Sequence, residues 1–159
     1  MTDTIQAPVA KAQMLVRRPV AEVYSAFVDP TITSHFWFTR ASGPLRLGAR
    51  VRWDWQMYGV STNVDVKALE PNRRILIEWN GPEAPTSVEW TFETLGTALT
   101  LIRIRNWGFG GTPDEAIAAA LDSTGGFSFV LAGVKAWLER GVELNLIADH
   151  DPAARVARR

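Results

Sequence analysis

The sequence predicts an α+β domain in which an antiparallel sheet of about six to seven strands packs against one long C-terminal helix. Two changes of period and one feature of the connections predict it. From Phe38 to Trp107, apolar residues alternate with polar ones in short runs, the period of half-buried strands. From Gly125 to Leu146 the period lengthens. Phe127, Val130, Leu131, Val134, Leu138 and Val142 now recur at helical steps and share one face. The strand-like runs are joined by tight turns rather than crossover helices, which implies antiparallel pairing.

Ala12 to Arg17 reads as the first strand, and Pro19 opens a helix on which Val20, Val23, Tyr24 and Phe27 share a face. Asp29-Pro30 stops that helix and caps a short second one, Thr31 to His35. The strands follow, punctuated at Gly43-Pro44, Gly48, Tyr58-Gly59, Pro71-Asn72, Gly81-Pro82 and Leu95-Gly96. Alternation assigns their inner face to Val51, Trp53, Trp55 and Met57, then Val64, Val66 and Ala68. Ile75, Ile77 and Trp79 continue it, and Val88, Trp90 and Phe92 complete it. In the last strand Leu99 and Leu101 fall out of phase with Ile102 and Ile104, so a bulge is expected near Leu101. Thr112-Pro113-Asp114-Glu115 is a capping box opening a short helix through Leu121. Ser123 or Thr124 is expected to cap the long helix anew, ahead of Gly125-Gly126.

At 159 residues, a single domain over 9–148 with flexible tails at 1–8 and 149–159 is expected. The polar N-terminus lacks an apolar signal core, and no apolar run approaches a membrane span, so a cytoplasmic protein without a membrane partner is expected. The absence of cysteine excludes disulfides, thiolate metal sites and cysteine catalysis. Seventeen basic residues balance seventeen acidic ones, so no nucleic-acid footprint is present.

Several stretches together resemble the START-like (SRPBCC, birch-pollen-allergen-like, helix-grip) superfamily. The branch they resemble is the homologues of the activator of the large heat-shock chaperone's ATPase. The resemblance rests on the run Arg18 to Pro30, on Phe36-Trp37-Phe38, on Gly48 to Trp53, and on Val88 to Phe92. Gly108-Phe109 and the long helix with Leu131, Lys135, Leu138, Glu139 and Gly141 complete it. It implies a sheet gripping the C-terminal helix around a hydrophobic cavity. Because the superfamily includes lipid and hormone carriers as well as cyclase-type enzymes, it implies a ligand site rather than a reaction. The eukaryotic activator carries an additional chaperone-binding domain for which this chain leaves no room, so chaperone activation is not implied.

Motifs for catalysis are weak. His35 and His150 are far apart in sequence, and neither forms a metal-binding pair, so no metal and no cofactor are assigned. Gly108-Phe109-Gly110-Gly111 has Pro113 where a phosphate loop would need a third glycine. Ser128 sits in a sequence that lacks the closing glycine of a nucleophile elbow. Asp54, Asp65, Glu78, Glu89 and Glu93 lie opposite the aromatic face, a wet surface of cross-strand pairs.

The aromatic residues carry the functional expectation instead. Trp37, Phe38, Trp53, Trp55, Trp79, Trp90, Phe127, Phe129 and Val130, with Asn106 as a polar contact, are expected to line a cavity for a small apolar or aromatic ligand. The first expectation is therefore a binding protein without catalytic residues. A cyclase- or hydrolase-type enzyme is the alternative, with His35, Tyr58, Asn106 or an inward Arg103 or Arg105 steering an anion. A third reading is a homodimer or chaperone-accessory module, whose mark would be exposed tryptophans.

Overall fold

The computed structural model describes residues 6–80 and 85–156. Strand β1 (Ala10–Val16) leads into helix α1 (Val20–Val28) and the single-turn α2 (Pro30–Thr33). Strands β2 (Arg40–Ala41), β3 (Arg50–Trp55), β4 (Val60–Glu70), β5 (Arg74–Trp79), β6 (Thr86–Gly96) and β7 (Leu99–Trp107) follow. The chain ends in helix α3 (Pro113–Arg140) and the short α4 (Leu146–Asp149). The seven strands form one sheet in the order β1-β7-β6-β5-β4-β3-β2, with every pair antiparallel. The turn expected at Gly81-Pro82 and the residues 1–5 and 157–159 lie outside the described part of the chain.

One face of the sheet is the core. Val51, Trp53, Val64, Val66, Ile75, Ile77, Val88, Trp90, Phe92, Ile102 and Ile104 are all buried on it. The other face is wet and charged, with Arg50 paired to Asp65 at 2.8 Å, Arg74 to Glu89 at 2.7 Å and Arg103 to Glu93 at 2.6 Å. Exposed pairs of this kind set strand register more than they stabilise the fold.

Two irregularities re-aim side chains. In β4 the register shifts between Val66 and Ala68, which pair with Ile77 and Leu76. The extra residue flips the alternation, so Leu69, and not the expected Ala68, packs against the core. The bulge expected near Leu101 lies instead on the partner strand. Thr94 pairs with Thr100 and Gly96 with Leu99, leaving Leu95 as the extra residue. Strand β7 itself stays regular, with Thr100, Ile102, Ile104 and Asn106 inward and Arg103 and Arg105 outward.

The two C-terminal helices expected from the sequence are one. Thr112 caps α3 by accepting from the Glu115 N–H, and the helix runs 28 residues to Gly141, whose φ of 64° ends it. Ser123 and Thr124 do not cap. Ser123 Oγ reaches across to Asn106, and Thr124 Oγ1 bonds back to the Ala120 carbonyl at 2.8 Å. Gly125-Gly126 lowers helix propensity by about 1 kcal/mol per residue, which packing on both sides offsets. Joined, the helix is long and apolar enough by composition to cross a membrane, contrary to the expectation from run lengths. Its buried residues, Ala116, Ala120, Phe127, Val130, Leu131 and Val134 among them, turn toward the protein interior.

Side-chain bonds lock α3 to the first strand. Lys135 Nζ donates to the Leu15 carbonyl at 2.8 Å and to Glu139 Oε2 at 2.7 Å, and the Arg17 N–H donates to the same carboxylate at 2.9 Å. Past α3 the described chain makes contacts back to the turn after β3. The Val156 N–H donates to the Met57 carbonyl at 2.9 Å, and the Tyr58 hydroxyl donates to the Ile147 carbonyl.

Candidate functional site

The ends of β5, β6 and β7 and the middle of α3 border an open cavity of about 440 Å³. Its apolar wall consists of Trp37, Trp79, Phe109, Phe127, Val130 and Ile147. Trp37 is the hub of the aromatic packing. The turn after α2 delivers it into the core, where its ring centroid lies 4.9 Å from Trp53, 5.7 Å from Phe127, 5.8 Å from Trp79 and 5.9 Å from Trp90. Most of these pairs are edge-to-face, the arrangement that ring quadrupoles favour. The rings pack on one another, so this wall is formed without a ligand.

Asn80 and Asp122 line the cavity, and the rest of its polar wall is one chain of hydrogen bonds. Asn106, near the end of β7 and only 2% exposed, donates through Nδ2 to Thr86 Oγ1 at 3.1 Å and to the Ser87 carbonyl at 2.8 Å. Its Oδ1 accepts from Ser123 Oγ of α3 at 2.7 Å. Trp79 Nε1 also donates to Thr86 Oγ1, at 3.1 Å. This network fastens helix to sheet across the cavity. Among the described residues, Asp122 is the one acidic side chain of the lining, and no lysine, arginine or histidine lines the cavity.

Of the residues expected at the site, Trp37, Trp79, Asn106, Phe127 and Val130 line the cavity. Phe38, Trp53 and Trp90 do not reach it and are buried among the rings that form its wall. Trp90 Nε1 is buried without a hydrogen-bond partner, with the Phe27, Trp37 and Phe127 rings around it. Trp55 is half-buried against Trp37, Phe38 and Trp79. Phe129 is not part of the lining and meets the His150 ring at 5.2 Å.

The residues considered for anion steering are elsewhere, Asn106 excepted. His35 stacks flat on Trp137 at 3.8 Å, and its Nδ1 lies 2.5 Å from Glu143. Tyr58 holds α4. Arg103 pairs with Glu93, and Arg105 lies over Trp107, both on the outer face. Among the described residues no three histidine, aspartate or glutamate side chains gather as metal ligands.

Among the lining residues that the sequence reading missed are Asn80, Thr86, Asp122, Ser123, Gly126 and Ile147. Thr86 was within reach, since it keeps the phase of Val88 and Trp90. Ser123 stands one turn before Phe127 and was hidden by the assumed helix break at the glycines. Nothing local marks Ile147, which reaches the cavity because α4 folds back. It also lines a second space of about 190 Å³ beside His35 and Glu143. A broader groove of about 720 Å³ lies on the charged outer face among Arg50, Asp65 and Glu78. Its lining is mostly polar and charged side chains, with Trp79 and Pro85 at one side.

Residues 17–139 match the family described as "Activator of Hsp90 ATPase homolog 1-like protein". The chain belongs to this family. The matched span runs from the end of β1 almost to the end of α3, so it contains the cavity except for Ile147. Solved structures carry the same fold. DynU16, from the dynemicin biosynthetic locus, matches with a TM-score of 0.74 at 24% identity. That match covers 86% of this chain but 49% of DynU16, so the chain spans about half its length. SSP2350 from Staphylococcus saprophyticus matches with a TM-score of 0.71 and 24% identity, over 86% of this chain and 95% of that one. Aha1 from Colwellia psychrerythraea, solved as a dimer, matches with a TM-score of 0.71 and 20% identity, over 84% and 97%. No sequence among the curated proteins matches. The chain is thus a START-like relative of Aha1 with an open seven-stranded helix-grip fold.

Proposed function

We propose that this AHSA1-family domain binds a small, predominantly aromatic molecule in the cavity between β5–β7 and α3. The observation that carries the reading is the composition of the wall. Trp37, Trp79, Phe109 and Phe127 surround about 440 Å³, with the buried Asn106 amide on one side. A pre-formed apolar pocket with a few placed polar groups is what small-molecule sites have in common. What favours binding over catalysis is that, among the described lining residues, Asp122 is the one ionisable group and has no acid–base partner beside it.

Native mass spectrometry of the protein purified from its own host tests the reading. A retained small molecule is expected, and its mass should vanish from a variant in which Gly126→Leu fills the cavity. A protein that retains nothing, and whose Trp79 indole N–H resonance no aromatic probe shifts, would not be a binder. Self-association is a separate proposal supported by the dimeric Colwellia Aha1, and sedimentation velocity decides it.

A further inference from the structure

The hydrogen-bond chain on the cavity wall has a direction, and that direction specifies the ligand's polar edge. Ser87 contributes a carbonyl, which only accepts, so the Asn106 atom 2.8 Å from it is the amide nitrogen. Asn106 therefore also donates to Thr86 Oγ1, and so does the Trp79 indole, which has no other role available. With two donors on it, the Thr86 oxygen has both lone pairs engaged and its own hydrogen left over. Among the described residues none accepts that hydrogen. Ser123 is the reverse case. It must donate to Asn106 Oδ1, and its oxygen keeps lone pairs that nothing else on the wall uses. The amide of Asn106 thus bridges a spare donor at Thr86 and a spare acceptor at Ser123. Both hydroxyl-bearing residues line the cavity, and Thr86 is 7% exposed.

We infer that the cavity selects uncharged, flat aromatic molecules carrying an acceptor and a donor side by side, as in a lactam. Such an edge has the heteroatom spacing of the Asn106 amide with opposite polarity, so it closes a ring of hydrogen bonds from the cavity side. Its carbonyl accepts from Thr86 and its N–H donates to Ser123. Carboxylates are selected against, because the only charge among the described lining residues is the Asp122 carboxylate and none of them is a cation. This inference rests on the binding reading proposed above and adds the chemical class.

Three probes of similar ring size separate the two. Carbostyril carries the lactam edge, naphthalene carries none, and naphthoate carries an anion. Their dissociation constants are measured by NMR titration of the full chain, following the Trp79 indole and Asn106 side-chain amide resonances. Carbostyril should bind about tenfold more tightly than naphthalene, a ratio two net hydrogen bonds can supply, and naphthoate should bind most weakly. Ser123→Ala should bring the carbostyril-to-naphthalene ratio close to one. Thr86→Val should do the same where it folds, but it strips an acceptor from both Trp79 and Asn106, so Ser123→Ala is the decisive variant. Equal binding of carbostyril and naphthalene would overturn the polar-edge inference and leave the cavity reading standing. Naphthoate binding as tightly as carbostyril would overturn the exclusion of anions. If none of the three binds, both readings fall.

Discussion

Gly133 of α3 meets Phe36 so closely that a Cβ on the glycine would lie 3.0 Å from the phenylalanine Cβ and 3.2 Å from its carbonyl oxygen. This approach seats the helix on the segment that delivers Trp37 to the cavity. Gly133→Ala sets two effects against each other. Helix propensity favours alanine by about 1 kcal/mol, while overpacking costs typically about 1–3 kcal/mol. The obstructing atoms are backbone and Cβ, which cannot rotate aside, so the clash wins. Thermal denaturation should show a melting temperature lower by several degrees. A variant more stable than wild type would mean that the helix shifts at little cost.

The two glycines of Gly125-Gly126 should separate stability from binding. A Cβ on either meets open space, but only Gly126 lines the cavity. Gly125→Ala and Gly126→Leu should each raise unfolding stability by about 0.5–1 kcal/mol through helix propensity. Gly126→Leu alone should lose aromatic ligands, because its side chain occupies their space. Chemical denaturation paired with ligand titration reads both quantities on the same samples.

Glu139 ties α3 to β1 through a carboxylate of which 11% of the side-chain surface remains exposed. Burial raises its pKa, but the Arg17 N–H and the Lys135 ammonium outweigh that effect and hold it below the ordinary glutamate value. A folded-state pKa below the unfolded one means the stabilisation is present above the unfolded value and is lost as pH falls through the folded one. Glu139→Gln should therefore cost about 1 kcal/mol at neutral pH, with the gap to wild type closing in acid. A gap that stays constant into acid would show that the carboxylate's charge contributes nothing.

Ile147 stands between the cavity of about 440 Å³ and the smaller one of about 190 Å³. Ile147→Ala should join them. Ligands with an additional fused ring should then gain affinity relative to two-ring ligands, at a stability loss of about 1–2 kcal/mol for the half-buried side chain. Competition titrations with ligands of graded size check this, and an unchanged size preference would place the partition elsewhere.

The sequence by itself determined the architecture, because the signals that specify it are local. Period-two alternation placed Trp53, Ile77 and Trp90 on one face, and the capping box at Thr112 announced a helix start. What lay beyond local signals was decided by contacts between distant elements. The Gly125-Gly126 pair looked like a break, yet the helix continues because Ser123 bonds to Asn106 and Phe127 packs on Trp37, on two other elements. The inward turn of Asn106 depends on the β7 register, which an extra residue in β6 sets without leaving a mark in β7. The aromatic composition predicted that rings would gather, and only the tertiary structure separated those that bound the cavity from those that fill the core behind it. Trp79 and Trp90 are alike in sequence context, both inward on a central strand. Trp79 stands at a strand end, where sheet and helix diverge, and Trp90 at the middle, where they close. Alternation tells which face a side chain takes, whereas the distance between layers at that point decides whether it meets another side chain or a space.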